Sequence, residues 1–164
     1  MKISINSNTP LTTYDGIITS ECFITFDTFY HFPCYHWVDS TSIVLGMWFS
    51  DYFTYIEKKE PCEWYFFEGD YHLLIQPVEN DKYCIKCVKD SKEKYITYLR
   101  KEDIIISLDN AITDFINVLI KSNINAEKTI QNLNVMHKII VFYLKLPKNE
   151  YMSDAYQKHR NQWK

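Results

Sequence analysis

The chain has 164 residues, of which 46% are hydrophobic, 24% charged and 16% aromatic, with a formal net charge of -3. A chain of this length buries about 68–70% of the surface its unfolded form exposes, so a core can form without disulfides or metals. The composition excludes the disordered, collagenous and disulfide-scaffold classes, and three glycines are too few for a glycine-rich phosphate cradle.

Taken in chain order, residues 2–6 and 17–28 are predicted strands. In the second, Cys22, Ile24 and Phe26 alternate with Glu21, Thr25 and Asp27, and Phe23 breaks the alternation. Residues 31–39 form an aromatic connection interrupted by Pro33. Asp39 and Ser40 offer helix caps, and Leu45, Trp48 or Phe49, Tyr52 and Ile56 recur at helical spacing, which predicts a helix over 40–57. A buried strand over 42–49 competes, because Ile43 and Val44 favour strands and Gly46 weakens a helix.

Four strands follow at 62–68, 71–78, 83–89 and 94–100. Gly69-Asp70 suits a type II′ hairpin, and Asn80-Asp81 and Asp90-Ser91 mark the other two turns. From Ser107 the period becomes helical, with Leu108, Ala111 or Ile112, Phe115 and Leu119 on one face. A second helix runs from the Asn125 cap through Ile130, Leu133, Met136, Ile140, Tyr143 and Leu144 to Pro147. The expectation is one α+β domain over 1–147, with an antiparallel sheet of about five or six strands packed by a central helix and two C-terminal helices, and a polar tail over 148–164.

Neither a secretory h-region nor an 18-residue apolar run is visible, so a cytoplasmic protein with no membrane partner is expected. The five cysteines, Cys22, Cys34, Cys62, Cys84 and Cys87, are expected as thiols in a reducing compartment. Cys84 and Cys87 have a zinc-knuckle gap, but a structural zinc needs four ligands and no second tight pair exists. On a strand the two would also project from opposite faces. No metal or cofactor is expected. Cys34, His36 and Asp39 suggest a nucleophile, base and orienting acid, yet no local catalytic signature surrounds them. A pI of about 5.9, with aromatics placed in the apolar pattern, disfavours nucleic acid.

Charge is polarised along the chain. Residues 39–81 carry nine acids and two bases, whereas residues 82–101 carry seven bases against Asp90 and Glu93. An acidic segment studded with aromatics is the composition of a surface that docks a basic protein, with rings as anchors and charges steering encounter. Its candidate contact residues are Asp51, Tyr55, Glu57, Glu60, Glu63, Trp64, Glu68, Asp70, Glu79 and Asp81. The competing reading makes the aromatics core and the acids a solvated face.

The runs Trp37-Val38-Asp39, Val44-Leu45-Gly46-Met47-Trp48 and Phe66-Phe67-Glu68-Gly69-Asp70-Tyr71 together resemble small immunity proteins of bacterial polymorphic toxin systems, including contact-dependent growth inhibition. The resemblance spans about residues 37–88 and rests on aromatic and glycine positions rather than a catalytic motif. It implies a non-enzymatic cytoplasmic protein that binds and neutralises a cognate toxin domain, often a basic nuclease. The alternatives are a small enzyme using residues 34–39 and a generic adaptor domain.

Overall fold

A computed structural model describes residues 1–6, 11–14 and 16–146. The expected polar tail, 148–164, lies outside the described residues. The elements are β1 (Lys2–Asn6), β2 (Thr12–Tyr14), β3 (Ile17–Thr25), β4 (His31–Phe32), β5 (Val38–Asp39), α1 (Thr41–Asp51) continued by a π-helical turn (Tyr52–Ile56), β6 (Cys62–Tyr65), β7 (Tyr71–Pro77), β8 (Lys82–Lys89), β9 (Lys92–Arg100), α2 (Lys101–Lys121) and α3 (Glu127–Tyr143).

The α+β class holds, but the expected single sheet is two. In the first sheet, β3 pairs antiparallel with β1, β2, β4 and β5. The second is a four-stranded antiparallel meander in the order β6-β7-β8-β9. The split follows from α1, which separates β5 from β6 in sequence and packs against both β3 and β6. One buried cluster joins both sheets and all three helices: Ile24, Leu45, Trp64, Ile85, Phe115 and Ile140 all belong to it.

Residues 41–56 are helical, so packing decides against the strand reading of 42–49. Val44, Leu45, Trp48, Tyr52 and Ile56 are buried along one stripe. Ser40 occupies the N-cap without a side-chain cap bond, and Asp39 accepts from the Ser40 amide instead of capping deeper in the helix. Helix α2 begins at Lys101, six residues before the expected start. The β-branched run Ile104-Ile105-Ile106 hides that turn from propensity, whereas Glu102 and Asp103 suit its N-terminus and Arg100 makes a two-pronged pair with Asp103 at 2.9 Å.

Two of the three expected hairpin turns are tight. Asn80 and Asp81 have φ of 57° and 58°, and Asp90 and Ser91 have φ of 50° and 58°, as a type I′ turn requires at both central positions. The Gly69-Asp70 turn is instead part of a five-residue connection, 66–70, closed by the Phe66 amide donating to the Tyr71 carbonyl at 3.0 Å. Gly69 has φ of +79°, and a Cβ there would stand 2.7 Å from Tyr71 Cε2. Backbone sign and lack of space both require glycine.

Candidate functional site

Strand β6 alternates with period two. Cys62 and Trp64 point inward, while Glu63 and Tyr65 point outward. Trp64 is fully buried and stacks on Trp48, with ring centroids 5.1 Å apart and planes 7° apart. Trp48 in turn donates its indole N–H to the Tyr65 carbonyl at 2.9 Å, tying α1 to the strand. Trp64 and Glu57, at 0% and 1% exposure, are therefore withdrawn from the proposed contact set. Trp64 belongs to the core, and Glu57 closes the π-helical turn, its amide donating to the Tyr52 carbonyl at 2.9 Å.

The other eight candidates reach the surface, Asp51 only in part. Between residues 60 and 81 the chain has six acids and no lysine or arginine. Two of these acids, Glu63 and Asp70, together with Asp51 at the end of α1, act on side chains of β6. Tyr65 donates its hydroxyl to Glu63 and also feels the charge of Asp70; both raise its pKa, the Glu63 bond most. Burial first, then the charges of Asp51 and Glu63, push the Cys62 thiol up to about 12. Glu63 and Asp70 thus both act on the exposed Tyr65 hydroxyl, and Asp51 and Glu63 on the buried Cys62 thiol, so the negative charge gathers around β6. The same part of the chain carries exposed rings: Tyr55, Tyr65 and Phe67 are 39%, 48% and 53% exposed. Tyr65 is held by His72, whose ring centroid lies 5.0 Å away. Glu79 and Asp81 lie at the β7–β8 turn, where Asp81 pairs with Lys59 at 2.9 Å.

The loop that carries Glu68 and Asp70 is positioned by Asp39, a residue read from sequence as a helix cap or catalytic acid. Its buried carboxylate accepts the Trp37 indole N–H at 2.9 Å and the amides of Ser40, Phe67 and Glu68 at 2.7, 3.1 and 3.3 Å. Burial holds its pKa above the ordinary carboxylate value, against the pull of these donors. One carboxylate therefore joins the β5–α1 junction to the 66–70 loop.

In the Cys34/His36/Asp39 group, kept from the sequence only as an alternative, His36 and Asp39 have other partners. His36 pairs through Nδ1 with Glu21 at 2.9 Å, not with Asp39, and Glu21 is buried beneath it. Cys34 is exposed. Phe23, which broke the alternation of β3, packs edge-on against His31 and Tyr35 on the outer face of the first sheet. Nothing in the sequence pattern pointed to Glu21 as the histidine's partner, because only the β3–β5 pairing brings residues 21 and 38 together.

Among the described residues no three His, Cys, Asp or Glu side chains come together as a metal would need. Cys84 and Cys87, three apart on β8, sit on opposite faces. A cavity of about 290 Å³ lies beside Tyr52, Arg100, Lys101 and Tyr143; its guanidinium is already committed to Asp103. None of the described helices is long and apolar enough to cross a membrane. Compared with known proteins, the chain matches no protein family, no curated protein and no solved structure.

Proposed function

We propose that this protein is an immunity protein that binds a cognate, basic toxin domain and neutralises it by covering or immobilising its active site. The docking surface in this reading is the β6 strip and its flanking loops: Asp51, Tyr55, Glu60, Glu63, Tyr65, Phe67, Glu68 and Asp70. The observation that carries it is the exposure of acids and aromatic rings together over residues 60–70, which hold no lysine or arginine. Isolated exposed rings are unremarkable, but rings set in a field of one sign combine desolvated anchors with long-range steering.

The strip is also preorganised. Asp39 fixes the loop beneath Glu68, and Trp48 fixes the Tyr65 backbone, so little ordering entropy remains to be lost on binding. Chemistry by Cys34, His36 and Asp39 is disfavoured by the engagement of Asp39 with four N–H donors. The test is co-expression with the polypeptide encoded beside it. Rescue of growth, together with a purified complex of the two proteins, supports the reading. Toxicity that persists with both proteins soluble overturns it.

A further inference from the structure

The cavity of about 290 Å³ lies where the β7–β8 turn, the start of α2 and the end of α3 meet. None of the residues in the proposed docking surface lines it. Tyr52 and Tyr143 form one wall, their rings edge-on with centroids 5.9 Å apart. Ile105, Leu144 and Leu146 supply an apolar lining, and Leu144 is 42% exposed, so this lining is open to solvent. The volume is close to the lower limit of small-molecule sites, about 300 Å³. It holds a one-ring molecule and excludes a nucleotide.

The charges that line the cavity leave one cation uncommitted. Arg100 is held by Asp103 and Asp81 by Lys59, each at 2.9 Å. Lys101 has no ion pair among the described residues. Glu102 also lines the cavity, but it is exposed and stands one step round α2 from Lys101, so the two side chains point in different directions. The phenols add a donor. Tyr52 is buried and donates its hydroxyl to the Lys101 carbonyl at 3.4 Å. Burial first, then the charge and the hydrogen bond of Tyr143, hold the Tyr52 hydroxyl well above the ordinary tyrosine value. A bond that raises that value is one in which Tyr52 donates, and the Tyr143 proton is then left for a ligand.

We propose that this cavity binds a small monocarboxylic acid with a flat apolar body. The carboxylate accepts from the Lys101 ammonium and the Tyr143 hydroxyl, charge-assisted bonds that one ammonium and one phenol can satisfy. The apolar body lies against Ile105, Leu144 and Leu146. A phosphate fits poorly, because it brings more negative charge toward Glu102 and Asp103 in the first turn of α2, and Arg100 is already engaged. An amine is repelled by Lys101. A ligand of this size makes few contacts, so its Kd is about 0.1–1 mM. The proposal stands apart from toxin binding, and its test contains no toxin.

The test is an amide NMR titration of the full chain with two probes of one shape, 3-phenylpropionate and its neutral amide, 3-phenylpropionamide. The expected result is saturable shifts at Lys101, Ile105, Tyr143 and Leu144, with the acid binding at least about tenfold more tightly than the amide, as loss of a charge-assisted pair implies. Lys101→Gln should weaken the acid to the level of the amide and leave the amide unchanged, because the Lys101 backbone carbonyl that receives Tyr52 remains. Tyr143→Phe should weaken the acid several-fold. No saturable shift with the acid up to about 10 mM overturns the proposal. So do shifts centred elsewhere in the chain, an acid that binds no better than the amide, or a Lys101→Gln variant that keeps the preference. The comparison of acid with amide uses the unmodified chain and decides the matter even where a variant fails to fold.

Discussion

The Trp37 indole donates to the carboxylate of Asp39 two residues later, 2.9 Å away, inside a site from which Asp39 is fully excluded from solvent. Three backbone amides share the same carboxylate, two of them from a loop 28 and 29 residues downstream. Asp39 thereby couples the start of α1 to the loop of the candidate docking strip.

Replacing Asp39 with alanine leaves three amides and an indole N–H without their acceptor. Each buried unsatisfied group costs about 1–3 kcal/mol, so the expected loss is about 3 kcal/mol or more, read by urea denaturation. Asp39→Asn keeps one acceptor oxygen and should lose less. A loss under about 1 kcal/mol for the alanine variant would show that the loop does not depend on this carboxylate.

Reversing Glu60, Glu63, Glu68 and Asp70 to lysine changes the formal charge from -3 to +5. These side chains are exposed, so each change should shift stability by about 0.5 kcal/mol or less. Association with the cognate toxin should slow by about 10–1000-fold at low salt and approach the original rate at high salt. Stopped-flow association at two ionic strengths decides it. Glu57→Lys should unfold the protein instead, because that position is buried.

Thiol reactivity should separate one cysteine from four. Cys34 is exposed, whereas Cys22, Cys62, Cys84 and Cys87 are buried. Burial pushes the Cys62 and Cys87 thiols up to about 12 and Cys22 further, the last helped by the Asp39 charge. Disulfide-reagent titration of the native protein should therefore label one thiol rapidly even at pH 9, and five after denaturation. The expected zinc content is below stoichiometric. Cys34→Ala and His36→Ala should leave toxin neutralisation intact; its loss with folding and toxin affinity unchanged would point to chemistry at residues 34–36.

Asp27 lends the tip of the turn before β4 a pH dependence. Its carboxylate accepts the Phe29 and Tyr30 amides at 2.8 and 2.9 Å, and these bonds, Phe29 first, hold its pKa below the ordinary aspartate value. Near that ordinary value the unfolded chain binds more protons than the folded one, so stability rises with pH there. The contribution is complete above the ordinary value and is lost as pH falls through the lowered one. Amide chemical shifts of Phe29 and Tyr30 should titrate at that lower pH, and Asp27→Asn should abolish the transition. Shifts that do not move below pH 4 would remove Asp27 from this role.

Periodicity and turn chemistry decided what is local in this protein. The β7, β8 and β9 hairpins follow from alternating residues bounded by Asn80-Asp81 and Asp90-Ser91, which tolerate positive φ. The alternation of β6 already puts Trp64 and Glu63 on opposite faces, so the burial of Trp64 is legible in the period of the strand, whereas composition alone groups both with the surface acids. The acidic character of residues 60–81 was likewise visible without coordinates.

Tertiary structure alone decided which residues meet. The division into two sheets depends on where α1 packs, a balance among long-range contacts that no local window contains. Glu57 looked like a surface acid beside Lys58 and Lys59 until the π-helical turn rotated it inward. Asp39 looked like a cap or a catalytic acid until a loop nearly thirty residues away supplied its donors. Hydrogen bonding satisfies whichever buried groups the fold brings together, and that juxtaposition is set by packing the whole chain at once.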